Sequence, residues 1–176
     1  MSEKLEEGVS GHSALRELWE HHWWSFEQFL DEAGTLSDEE FRRDLRLSYR
    51  SIHGALAHAV GSEQVWLKRV TQRQSMARVP GTEELQTFQA IEEAWEECKG
   101  GWQQTLREDD LERVIDYQNT KGQQFNDPIW RVMAHLVDHG ASYRGVLMSG
   151  LRLLGRTPPS TGLVTYTRLT AGHFRF

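Results

Sequence analysis

The sequence predicts an all-α fold, a four-helix bundle with a short hairpin or extended loop before the last long helix. Three observations carry that reading. Four long segments repeat apolar residues at the three- and four-residue spacing of a helix face, and capping residues stand at the starts of these segments. One stretch, between about 110 and 127, breaks the helical period with β-branched residues and a glycine turn.

Residues 1–11 are polar, include Gly8 and Gly11, and read as a flexible lead-in to one domain spanning 12–176. Ser13 can cap a first helix to about Glu32, with Leu15, Leu18, Trp19, His22, Phe26 and Phe29 on one stripe and Gly34 stopping it. Ser37-Asp38-Glu39-Glu40 has the capping-box pattern, in which hydroxyl and carboxylate satisfy exposed amides, so a short helical turn is expected there. A second long helix is expected from about Ser48 to Gln74. Ile52, Leu56, Ala59 and Trp66 form its apolar stripe, which His58 and Glu63 interrupt. Val79-Pro80-Gly81 closes the connection, and Thr82 is the expected cap of a third helix through Trp95 to about Leu106. Val114-Ile115-Asp116-Tyr117 and Gln123-Gln124-Phe125, with Gly122 between them, form the hairpin or loop. Asp127 before Pro128 reads as a carboxylate cap with proline in the first turn, starting a last helix that runs to about Leu154. After Gly155, Pro158 and Pro159, one more short turn is expected near Val164 to Arg168.

A chain of 176 residues is long enough for one core and short for two. The net charge of −6 comes with no dense run of Lys or Arg, and the most basic stretch, Arg42-Arg43-Asp44-Leu45-Arg46, carries its own acid, so nucleic acid is not an expected partner. A single cysteine, Cys98, excludes an internal disulfide and a thiolate-rich metal site, and it fits a reducing compartment. No apolar run approaches the roughly 18 residues that cross a bilayer, and the acidic start has no apolar signal core behind it. A cytoplasmic protein without a membrane partner is expected.

The chemistry concentrates in the last helix. His135, His139 and Tyr143 follow one another at four-residue spacing, just over one turn, so their side chains stack along one face. Two imidazoles one turn apart can share a metal ion, since a neutral ring nitrogen suits zinc, nickel or copper. On the second helix His58 lies eight residues before Trp66 and five before Glu63. His53 is about 140° from His58 around the helix axis, so the two cannot serve one centre.

The run His135-Leu136-Val137-Asp138-His139-Gly140-Ala141-Ser142-Tyr143-Arg144-Gly145, followed by Leu151-Arg152-Leu153-Leu154-Gly155, resembles the last bundle helix of the DinB/YfiT-like superfamily of metal-dependent enzymes. The block from Ser51 to Leu67, with His58, Glu63 and Trp66, resembles that family's second helix. Trp23 and Trp24, the Leu36–Phe41 turn and the Thr157-Pro158-Pro159 tail also fit, so the likeness extends over about residues 12–170. It implies a divalent metal, zinc or nickel, held by three histidines whose positions fall here on His58, His139 and Tyr143. The third histidine is therefore a tyrosine. Tyr143 could ligate as a phenolate, could hold a substrate or bound water by its hydroxyl, or could fill the space of a lost ligand. His135 is the alternative third ligand, although moving the ion one turn along the helix, about 6 Å, takes it away from His58.

Two functions follow from the resemblance. One is a metal-dependent enzyme with thiol S-transferase-like or hydrolase-like activity on a small molecule, a low-molecular-weight thiol among the candidates, in which Glu63 or Tyr143 moves protons. The other is a metal-free bundle that binds a small molecule or a partner. Arg144 is a further candidate for acid/base work or anion binding. The family also implies a homodimer, with exposed tryptophans of the first helix as its contact.

Overall fold

The computed structural model describes residues 11–108 and 110–171. The expected lead-in at 1–10 and His173 lie outside them. In chain order the elements are α1 (Gly11–Gly34), α2 (Asp38–Arg42), α3 (Ile52–Gln72), α4 (Phe88–Glu108), β1 (Val114–Gln118), β2 (Gln124–Pro128), α5 (Ile129–Leu153) and α6 (Leu163–Thr170). The four long helices form the expected bundle. α5 packs on both α1 and α3, α3 packs on α4, and the seam between α1 and α4 is the loosest. None of the described helices is long and apolar enough to cross a membrane.

The core follows from the helical stripes. Trp95 and Trp102 of α4 are 1% and 0% exposed, and Trp95 lies with its ring centre 4.3 Å from Trp23 and 4.5 Å from Phe26. Leu56, Ile91, Ile129, Met133, Leu136 and Leu147 complete the interior. The tryptophans expected at a contact surface on the first helix are largely inside it: Trp19 and Trp23 are buried, and Trp24 is half-buried against Tyr166.

The capping box at Ser37 forms in full, with Glu40 returning its carboxylate to the Ser37 amide. Other ends differ from expectation for local reasons. α1 is already helical at Gly11, so Ser13 lies inside it. α3 starts at Ile52 with Ser51 as its cap, because 44–50 is spent on a tight turn closed by Leu45 N–H to the Arg50 carbonyl. α4 is capped by Thr87, whose Oγ1 accepts from the Ala90 amide at 3.1 Å. Thr82 belongs to a separate turn in which Leu85 N–H donates to the Gly81 carbonyl. Asp127 does not cap α5. It sits in β2, and its carboxylate accepts from the Tyr117 hydroxyl and from Arg131, both at 2.8 Å, while Pro128 takes the N-cap position without a side-chain bond. The antiparallel pairing explains this. It runs from Gln118 with Gln124 to Val114 with Pro128, so the strand claims Asp127 up to the first residue of the helix. The short last turn is a two-turn helix, α6.

Candidate functional site

α3 and α5 cross so that His58 faces His139 with ring centres 5.8 Å apart. Tyr143, one turn along α5, packs against both, 4.6 Å from His139 and 5.2 Å from His58. His135, one turn the other way, stands 5.7 Å from His139 and turns its ring edge to Trp66. The three α5 side chains therefore form the row that their spacing predicts, and the structure brings His58 onto it.

Tyr49 completes the cluster. Its ring stacks on His58 at 4.2 Å and lies 5.5 Å from Tyr143. It comes from the turn before α3, where Arg46, Tyr49 and Arg50 all adopt positive φ without a glycine among them. No composition signal marks that turn. At the other end of the row the hairpin brings Tyr117 against Trp66, and the Arg69 guanidinium lies over both rings at 5.0 and 4.5 Å. Its Nη2 donates to the Gln118 carbonyl, which fixes the hairpin to α3.

Glu63 is turned elsewhere. It is 2% exposed, and its Oε1 lies 3.0 Å from Nε2 of His22, itself 1% exposed, so a buried histidine–carboxylate pair joins α1 to α3. The His22 ring is enclosed by Trp19, Trp23 and Trp95. Gly140 of α5 lies directly over it, where a Cβ would come within 2.5 Å of the imidazole, so this glycine permits the close approach of α5 to α1. Nδ1 of His22 and Oε2 of Glu63 are buried without hydrogen-bond partners among the described residues. His53 belongs to neither cluster: its Nε2 donates to the Leu85 carbonyl.

Burial decides the charge state of the row. It pushes His139 down to about 4, helped by the nearby imidazoles of His135, His58 and His22, and it lowers His58 as well. It raises Tyr143, with the neighbouring Tyr49 phenol adding to the effect. At neutral pH His58 and His139 are therefore neutral imidazoles beside a neutral phenol. A folded-state value below the unfolded 6.5 means that the unfolded chain takes up the proton first. The stabilisation is thus complete above about pH 6.5 and declines as pH falls towards 4. For His139 the loss is on the order of 2 kcal/mol, allowing for the solvent that reaches a half-buried ring. Urea unfolding between pH 7.5 and 4.5 should show the decline, and His139→Gln should flatten it. Equal slopes in the two proteins would contradict this assignment.

A catalytic zinc or nickel needs three protein donors around one point. Among the described residues no three His, Cys, Asp or Glu side chains come together in that way. His58 and His139 offer two neutral imidazoles. The third place is filled by a phenol whose ionisation burial opposes, so the donor set does not fit the three-histidine ion that the resemblance implies.

A helical bundle with a hairpin before its last long helix and a histidine row facing its second long helix defines the class. The chain matches the DinB family over residues 1–173 and belongs to that family. No curated protein matches it.

Proposed function

We propose that this member of the DinB family binds a small molecule without a resident metal, at the hairpin end of the His135–His139–Tyr143 row. The observation that carries the reading is the donor set, two neutral imidazoles and a protonated phenol packed ring against ring. Such a cluster offers hydrogen bonds and flat apolar faces and no charge. Beside it a cavity of about 370 Å³ opens between the hairpin and α5, lined by Trp66, Tyr117, Asp127, Arg131, Val132 and His135. Aromatic walls with a few convergent polar groups suit a small ring-bearing ligand that carries a polar tip.

The metal-dependent reading, with thiol-transfer or hydrolytic chemistry, is the alternative. It is favoured by one observation: His58 and His139 come from different helices, are both neutral, and stand close enough to flank a cation.

Metal content of untagged protein after incubation with excess zinc and nickel separates the two. The wild type is expected to hold no stoichiometric metal, and Tyr143→His, which restores three imidazoles, is expected to gain about one ion per chain. One ion in the wild type, lost in both His58→Ala and His139→Ala, would replace the proposal with the enzyme reading.

A further inference from the structure

A second cavity, of about 490 Å³, lies on the other side of α5, between its second half and the 158–162 segment that leads into α6. Its walls include Arg144, Arg152, Ser160, Thr161 and Gly162, and among the described residues no Asp or Glu lines it. That is unexpected in a chain with 26 acidic residues and 20 Lys and Arg. Elsewhere in the described structure Arg42, Arg43, Arg50, Arg78, Arg131 and Arg156 each hold a carboxylate. Among the described residues Arg144 and Arg152 hold none.

Arg144 is the more telling of the two. The surrounding protein desolvates its guanidinium without supplying a counter-charge, and its Nη1, buried on the inner side near Gly140, makes no hydrogen bond among the described residues. Burying part of a cation with no partner is costly, so such a group is ordinarily complemented by an anion. Thr161, across the cavity, is 8% exposed. The segment carrying it is not loose, because Nε2 of the buried His21 lies 2.8 Å from the Thr161 carbonyl and ties the segment to α1. Gly162, next in the chain, is the N-cap of α6 and brings no side-chain acceptor to the first-turn amides. Gly162 itself lines the cavity, so α6 begins at its wall.

We propose that this cavity is an anion site that takes the carboxylate or phosphate group of a small molecule. Arg144 supplies its charge and the guanidinium donors other than Nη1, Arg152 supplies charge at the rim, and Thr161 supplies a hydroxyl at the wall. It lies on a different face of α5 from the histidine row and does not depend on the function proposed for that row.

The test is a titration of the full-length, isotope-labelled chain with inorganic phosphate and, separately, with acetate, chloride being used to hold ionic strength constant. Saturable shifts at the amides of Thr161, Gly162 and Leu163 are expected with at least one of the two anions. Saturation by phosphate alone assigns a phosphate-bearing ligand, and saturation by acetate assigns a carboxylate. Arg144→Gln should weaken binding by about tenfold, the loss of a charge-assisted pair. If Arg144→Gln does not fold, Arg152→Gln and Thr161→Val, both at the cavity wall, carry the test, and each should weaken binding severalfold. Shifts that stay linear for both anions, or affinities unchanged in these variants, would overturn the proposal.

Discussion

His22→Ala is expected to cost about 4 kcal/mol of folding stability, the loss typical when one member of a buried ionisable pair is removed together with a packed ring. The Glu63 carboxylate is 2% exposed, and its only partner is Nε2 of His22, since Oε2 already has none among the described residues. Without His22 the whole group is left unpaired in the interior. The ring also fills a pocket walled by Trp19, Trp23, Trp95 and Gly140, so its removal leaves a cavity in the most aromatic part of the core. The double variant His22→Leu with Glu63→Leu should recover most of the loss, because an apolar pair of similar volume carries no desolvation cost. Urea unfolding at neutral pH measures all three proteins. A cost below about 1 kcal/mol for His22→Ala, or a double variant no better than the single one, would mean that the pair is not what joins α1 to α3.

This pair also shows where reading the sequence reached its limit. His22 was legible as a member of the first helix's apolar stripe, and Glu63 as a carboxylate bordering His58. Neither spacing says which way a side chain turns once two helices meet. The distance that commits Glu63 to His22 belongs to the packing of α1 and α3 on α5, where Gly140 lies against the imidazole. Spacing within a single helix was more reliable: His135, His139 and Tyr143 share a face because helical periodicity alone decides it. The four helices and the hairpin were legible for the same reason, since each has its own periodic pattern. The misplaced caps have a common cause. Thr82 and Asp127 are both good capping residues, but a preceding turn in one case and the strand pairing in the other claimed those residues first. Adjacent tryptophans posed a similar problem. Trp23 and Trp24 are chemically alike, and only the position of Trp95 makes the first a core residue and leaves the second half-buried against Tyr166.

Tyr49 is the site residue that the sequence concealed most completely, and Gly54→Ala is the substitution that tests how it is held. Gly54 lies in the first turn of α3, where an added Cβ would come 2.0 Å from the Tyr49 carbonyl oxygen and 3.1 Å from its carbon. Both are backbone atoms, so no side-chain rotation relieves the overlap. The turn cannot easily retreat either: Leu45 N–H donates to the Arg50 carbonyl at 2.7 Å, and Arg50 N–H donates to the Leu47 carbonyl at 2.8 Å. Arg46, Tyr49 and Arg50 already sit at positive φ, where further distortion is costly. Gly54→Ala should therefore destabilise the protein by about 3 kcal/mol, at the upper end for overpacking. The clash should also lift Tyr49 from the face of His58. Burial is what holds His58 below its ordinary 6.5, so uncovering the ring should let its titration midpoint rise towards that value. The ring protons of His58, followed by NMR against pH, report this directly. Should Gly54→Ala prove too unstable to titrate, Tyr49→Ala uncovers the same ring without the backbone clash and should raise the same midpoint. An unmoved His58 midpoint in Tyr49→Ala would show that the tyrosine does not shield the histidine, and the site would then consist of the α3 and α5 side chains alone.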